Sequence, residues 1–315
     1  MSNKAKILCP VDFSKDADYA VAYASRLAPI VDAEVHCVHV IDSRSYGSAI
    51  EGAYVSAGST ESSIQQIEQH VHEEFHALIK RFELLHFDAQ GHFLHGDPSR
   101  EIIKLADELE AEYIVMATHG RTGFDQWVFG STCEKVVRLS HVPVLTVRPP
   151  EVHWTLEDLS VSFKRVLCPL DFSDFSRAGL ETARALCKRF EGTLVLAHAV
   201  DTRLEYPVLE PGVVAATDSH FERDAQAYME KISESLDDVF CEIRVVSGNP
   251  HTALVNLIKS DDIDLVVMTT HGHRGLSHML LGSLADRIVK RSPSPVLTIH
   301  PDKDTKRKQT MNEAG

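Results

Sequence analysis

Two stretches of this 315-residue chain pair glycine with serine at a fixed distance. Gly120 is followed by nine residues, then Gly130 and Ser131, then a run patterned as a helix. Gly272, nine residues, Gly282 and Ser283 repeat the arrangement. The first turn of a helix has N–H groups with no intrahelical partner and carries the positive end of the helix dipole. Glycine at that point lets a phosphate approach the backbone, and serine adds a hydroxyl donor. The spacing is not that of a Walker loop or of GxGxxG, and no lysine follows the second glycine. P-loop chemistry on a γ-phosphate is therefore unsupported. A plain loop ahead of a Gly-Ser helix start fits the same spacing, and the spacing alone leaves both readings open.

Other residues could carry chemistry. His72-Glu73-Glu74-Phe75-His76 matches HExxH, in which two histidines one turn apart hold zinc and the glutamate acts as base. The motif is short, the chain has 18 histidines, and the second half has no counterpart. A solvated or structural pair beside an apolar stripe is expected, with a zinc-dependent hydrolase as the weaker competing class. Asp12 and Asp171 each close an apolar run just before a serine. They suit turn stabilisation and ligand contact equally. His119 and His271 precede the loop glycines and suit either loop hydrogen bonding or ligand contact. His39 and His198 near the ends of their apolar runs are expected to satisfy core hydrogen bonds. No Ser–His–Asp or Cys–His arrangement follows from the spacing.

The elements that must position these residues occur twice. ILCPVDFS at 7–14 returns as VLCPLDFS at 166–173, and AEVHCVHVID at 33–42 as GTLVLAHAVD at 192–201. HGDP at 95–98 returns as SGNP, VMATHGRTG at 115–123 as VMTTHGHRG, and PVLTV at 143–147 as PVLTI. Ordered matches of this kind imply two copies of one domain. The longer first copy carries a Ser-, Gly- and Tyr-rich loop at 43–59. Boundaries are expected at 1–148 and 163–301. A linker at 149–162 includes Trp154 and Leu156, which suit packing on a domain surface. The polar tail at 302–315 reads as disordered.

Within copy one, residues 6–11 read as a buried strand, and Ser14 caps a helix through Ala28. A strand at 34–41 follows, then a helix at 61–85 with Ile64, Ile67, Val71, Phe75, Leu78, Phe82 and Leu85 on one face. His92–Leu94 is a short strand, and Pro98 opens a helix. A strand at 113–117, a helix at 131–139 and a strand at 144–147 complete the copy. Alternating strands and helices predict an α/β fold, a doubly wound parallel sheet of five strands in each copy, with ligands beyond the carboxyl ends of the strands.

PVDFS, HVID, MATHG, the nine-residue spacer, GS and PVLTV together resemble the universal stress protein family over nearly the whole chain, in its tandem-domain form. That resemblance implies a Rossmann-like fold and adenine-nucleotide binding: ATP first, with AMP and ADP as the other candidates and Mg²⁺ left open as a companion ion. The phosphate side then falls on Gly120, Gly130, Ser131 and Thr132, and on Gly272, Gly282 and Ser283. The adenine side falls on Pro10, Val11, Asp12 and Val40, and on Pro169, Asp171 and Ala199. Met116 and Met268 line the nucleoside, and His119 lies beside the loop. The family's ATP-binding branch has a further glycine, three residues before the loop glycine. Here that position is Ala117 in copy one and Thr269 in copy two. A methyl group takes little room, whereas a branched threonine takes more and has scope to shift the strand end. Copy one is thus expected to be the better site.

Bulk properties narrow the classes. A formal net charge of −14 argues against a nucleic-acid partner. The basic run at 303–308 reads as a solvated tail. No 18-residue apolar stretch suggests a membrane span, and the start of the chain does not resemble a secretory signal. Six scattered cysteines without CxxC are expected to be reduced and mostly buried, in a cytoplasmic protein. The leading reading is a stress-response nucleotide-binding module without evident catalysis. The alternative is an interaction protein with degenerate sites. The closing strands of the two copies are expected to pair as an intrachain pseudo-dimer, with a homodimer of whole chains also open.

Overall fold

Apolar runs such as residues 7–9 need burial on both faces, and in the computed structural model of the chain they form the middle of parallel sheets. The structure describes residues 4–42, 61–84, 89–118, 129–150, 161–201, 213–270 and 281–300, without the side chains of 61–67, 81–84 and 213–219. The chain divides into two compact units, Met1–Val161 and Ser162–Gly315.

Unit 1 runs β1 (Ala5–Pro10), α1 (Lys15–Val31), β2 (Ala33–Ile41), α2 (Glu61–Leu84), β3 (Ala89–His95), α3 (Pro98–Glu108), β4 (Tyr113–Ala117), α4 (Ser131–Leu139) and β5 (Val144–Val147). Unit 2 runs β6 (Arg165–Pro169), α5 (Asp174–Phe190), β7 (Thr193–Val200), α6 (Val213–Glu234), β8 (Phe240–Ser247), α7 (Pro250–Ser260), β9 (Leu265–Thr269), α8 (Ser283–Arg291) and β10 (Val296–Ile299). The strand order is β3-β2-β1-β4-β5 in unit 1 and β8-β7-β6-β9-β10 in unit 2. The pairings within each unit are parallel. This is the doubly wound α/β fold expected from the alternation of elements.

The core of unit 1 is β1 sealed by α1, which buries Ala20, Val21, Ala24 and Leu27. Full burial of a side chain such as Leu27 contributes about 1.5–3 kcal/mol. Helix α1 runs past its expected end at Ala28 and takes in Pro29. Pro29 has no N–H to donate to the carbonyl four residues back, so that intrahelical bond is given up, and the helix continues for only two residues beyond it. Asp32, left-handed at φ 53°, ends the helix with its N–H on the Ala28 carbonyl. Strand β3 is also longer than expected. Pairing with β2 from Val35↔Ala89 to Ile41↔His95 recruits residues without an apolar pattern of their own.

Two glycines tie loops to the sheet. Gly96 (φ 143°) and Gly248 (φ 118°) occupy backbone that other residues rarely adopt. Their N–H groups reach Ile41 O at 2.9 Å and Val200 O at 3.0 Å. The HGDP and SGNP turns are thereby held at the ends of β2 and β7.

The cysteines are free, and all but half-buried Cys241 are buried. Burial pushes the Cys37 and Cys187 thiols up to about 12. Among the described residues, no helix is long and apolar enough to cross a membrane. The expected side-chain placements for Ile64, Ile67, Phe82, Leu85, Trp154 and Leu156, the loop at 43–59 and the tail lie outside the described residues.

Candidate nucleotide site

In unit 1, β2 and β3 lie to one side of β1, and β4 and β5 to the other. The order reverses between β1 and β4, and their carboxyl ends open a crevice. A cavity of about 250 Å³ lies there. It is lined by Pro10, Val11, Asp12, Val40, Met116, Ala117, Gly130, Ser131 and Thr132, with His39, Pro98 and Ile102 among its other walls. Unit 2 has a cavity of about 270 Å³ at the same switch point. Pro169, Asp171, Ala199, Met268, Thr269, Gly282 and Ser283 line it, with His198, Asp201, Pro250, His251 and Leu284. The sequence-expected residues of each copy thus come together in one cavity. His119, Gly120, His271 and Gly272 lie outside the described residues.

A strained turn builds one wall. Val11 N–H bonds Val38 O at 2.8 Å, which holds the chain against β2 as β1 ends. Asp12 Oδ1 then accepts from Ser14 N at 3.1 Å and from Ser14 Oγ at 2.6 Å. Ser14 Oγ caps α1 by accepting from Ala17 N at 3.1 Å. Between them Phe13 is forced to φ 63°. Unit 2 repeats the turn, with Asp171, Phe172 at φ 62° and Ser173. An aromatic residue in this region costs about 1–3 kcal/mol and persists only where its surroundings dictate it. The ring contacts fit that requirement: Phe13 lies 4.6 Å from the His39 ring and Phe172 lies 4.2 Å from His198. Asp12 and Asp171 therefore do stabilise the turn, and they also line the cavities.

His39 and His198 make the expected hydrogen bonds, but as pocket walls rather than deep core. Nδ1 of each donates to a backbone carbonyl, Val11 O at 2.8 Å and Leu170 O at 2.7 Å. A carbonyl only accepts, so the proton sits on Nδ1. Burial lowers the His198 pKa, outweighing the Leu170 bond and the Asp171 charge, and the ring is neutral at pH 7.

The opposite wall is a bare helix start. Helices α1, α3, α5 and α7 are capped by the side chains of Ser14, Asp97, Ser173 and Asn249. Helices α4 and α8 begin at Gly130 and Gly282 with no side-chain cap. Their first-turn N–H groups have no intrahelical acceptor, and their first residues line the two cavities. No lysine or arginine lines either cavity among the described residues, so favourable potential for an anion there comes from backbone amides.

The two cavities differ at two matched positions. Ala117 and Thr269 are each 8% exposed, and they keep the same pairing, Ala117↔Val147 and Thr269↔Ile299. The strand-end shift anticipated for the branched Thr269 is therefore not seen: β9 ends level with β4, and the unit 2 cavity is no smaller. The second helical residue is Thr132 in unit 1 and Leu284 in unit 2, so a hydroxyl is lost there.

The HExxH residues lie elsewhere, on α2. His72, Glu73 and His76 are exposed, the two histidine rings are 4.6 Å apart, and Glu73 accepts from Gln69 Nε2 at 3.0 Å. Among the described residues, no group of three or more His, Cys, Asp or Glu is placed to hold a metal ion.

Sequence reasoning missed His39, Ile102 and Pro98, and their unit 2 partners His198, Leu254 and Pro250, as cavity walls. The signal was present in the histidine shared by HVID and HAVD and in the G-[DN]-P matches.

Comparison with known proteins gives a consistent result. The universal stress protein family model matches residues 5–148 and again residues 162–300. A universal stress protein of Mycolicibacterium smegmatis is 25% identical over 308 residues, covering 94% of this chain and 97% of its own. A universal stress protein of Methanocaldococcus jannaschii is 29% identical over 157 residues, 45% of this chain and 97% of its own. The crystal structure of a universal stress protein from Archaeoglobus fulgidus covers 95% of this chain and 97% of its own, with a TM-score of 0.68 at 24% identity.

Proposed function

The chain belongs to the universal stress protein family, and on that premise we propose that it is a cytoplasmic stress-response protein that binds adenine nucleotide at the two switch-point cavities. ATP is the leading ligand, with ADP or AMP as alternatives and Mg²⁺ as a companion ion. The observation that carries this reading is the uncapped start of α4 and α8, opening onto cavities that Asp12 and Asp171 close at the other wall. A phosphate would approach over Gly130 and accept from the first-turn amides at Ser131 and Thr132, and from the loop at Gly120. The base would lie toward Pro10, Val11, Asp12 and Val40, with Met116 and Ala117 beneath the nucleoside. Unit 2 would use Pro169, Asp171, Ala199, Met268, Thr269, Gly272, Gly282 and Ser283 in the same way.

The role is that of a binding module. Nucleotide favours one conformation or partner by its differential affinity, with no catalytic step required. Unit 1 is the better site because it keeps the Thr132 hydroxyl and the smaller Ala117. Calorimetric titration of ATP with magnesium tests the reading, and an absence of heat at millimolar ligand sinks it. That outcome would favour an interaction protein of the same fold, a reading supported by the non-glycine Ala117 and Thr269.

The domain limits 1–148 and 163–301 belong to the same proposal. So does pairing of 143–147 with 295–299 within one chain, with further dimerisation of whole chains. A fragment of residues 1–150 that stays monomeric at high concentration in sedimentation would count against the pairing.

A further inference from the structure

A second cavity adjoins the site in unit 2. It measures about 640 Å³ and lies between the end of β7 and α6, with His198 and Asp201 shared between the two cavities. Its volume falls within the range of about 300–1,000 Å³ typical of small-ligand sites.

Its walls are aromatic and acidic. Phe221 and Tyr228 are 48% and 40% exposed, and they stand two turns apart on one face of α6. Phe172 meets the Tyr228 ring edge-on at 4.6 Å, and it also stacks on the His198 ring. Contacts with His198 and Tyr228 on two sides hold the Phe172 ring in the wall. Asp201 and Asp224 supply the charge, and Asp224 also pairs with His220 on the exposed side of the helix at 3.0 Å. No lysine or arginine lines the cavity among the described residues, and burial keeps His198 uncharged at pH 7. No helix start lines this cavity among the described residues, so nothing here offsets the carboxylates as the amides of α8 do next door, and the ligand differs from the one proposed for the neighbouring site.

Unit 1 is built differently at this point. Phe75 is 3% exposed there and packs near His39 and Phe93, with ring centroids 6.5 and 6.0 Å away.

We propose that this aromatic–acidic cavity of unit 2 is a binding site for an aromatic ammonium compound, held by the rings of Phe172, Phe221 and Tyr228 and by the carboxylates of Asp201 and Asp224. Aromatic faces attract cations through the ring quadrupole, and carboxylates reinforce the same sign. The protein's net charge of −14 works in the same direction.

The test is calorimetric titration of the full chain, free of nucleotide, with phenyltrimethylammonium chloride and separately with benzenesulfonate. Working without nucleotide keeps the result independent of ATP binding. The cation is expected to bind saturably and at least about tenfold more tightly than the anion. Phe221→Ala and Asp224→Asn are each expected to weaken it by about fivefold, the size of one exposed cation–π or ionic contact. About half of Phe221 and most of the Asp224 side chain are exposed, and circular dichroism checks that the variants stay folded. Equal affinity for the two probes, no saturable binding of the cation, or unchanged cation affinity in both variants overturns the proposal.

Discussion

The carbonyl of Thr118 accepts the N–H of Gly130 at 2.9 Å, and in unit 2 the carbonyl of Thr270 accepts the N–H of Gly282 at 2.7 Å. This bond ties the strand end directly to the first residue ahead of the helix. The start of α4 is therefore placed by backbone alone, and side chains at 117 or 269 can change without moving it. The pairing of Thr118 N with Val147 O at 3.2 Å fixes the strand side of the same junction.

If the helix start is the anion site, the matched pair Thr132 and Leu284 should set the difference between the two units. A hydrogen bond from a neutral group to a charged phosphate is worth about 1.5–3 kcal/mol, roughly tenfold or more in affinity. Thr132→Leu should weaken ATP binding to unit 1 by about that factor. Leu284→Thr should strengthen binding to unit 2. Titrations of the two variants check this, and unchanged affinities in both would remove the hydroxyl from the account.

Ser14 joins the turn wall to the core. Its hydroxyl donates to Asp12 and caps α1. Loss of an N-cap costs about 1 kcal/mol, so Ser14→Ala should lower the melting temperature by about 2–4 °C for a domain of this size. Thermal unfolding followed by circular dichroism measures it.

Gly192 is demanded by close approach: a Cβ there would lie 2.3 Å from Phe163 O. The clash is with backbone, which cannot rotate away as a side-chain tip could. Gly192→Ala should destabilise unit 2 by about 1–3 kcal/mol. A chemical denaturation midpoint equal to that of the parent protein would contradict this.

Two histidines make stability depend on acid. Burial lowers the His198 pKa, and burial followed by the neighbouring His36 lowers that of His92, from an ordinary value of 6.5. Below pH 6.5 the unfolded chain binds more protons than the folded one, so stability falls as pH drops toward the folded-state values. Above that window these groups contribute no slope. Melting temperatures at pH 7.5 and 5.5 should diverge, and His198→Gln and His92→Gln should each narrow the gap. An equal gap in both variants would assign the acid sensitivity elsewhere.

The fold was legible because burial on both faces leaves a strong pattern. Runs such as ILC, YIVMA and VLTV read as parallel strands, and the repeat confirmed their order. Strand β3 was read too short because its pairing with β2, rather than its own residues, defines its length. The helix end beyond Ala28 was missed because Pro29 reads as a helix stop, whereas the chain stays helical until the left-handed Asp32. The cavity walls that followed from strand ends and the Gly-Ser motif were legible. Those that depend on tertiary approach were not. His39 reads as a core residue in sequence because its bond partner, Val11 O, lies far away along the chain. The left-handed Phe13 and Phe172 leave no sequence signature beyond recurring at the same place in both copies.

On the proposed reading, nucleotide phosphate sits on the starts of α4 and α8. Aspartate in a first turn suits the helix dipole, so Ser131→Asp and Ser283→Asp should leave folding intact while placing a negative charge against the phosphate. Calorimetric titration of ATP with magnesium into the parent, each single variant and the double variant measures this directly. Loss of the tighter binding in Ser131→Asp, with no binding left in the double variant, is the expected result. A double variant that binds ATP as tightly as the parent would contradict the account.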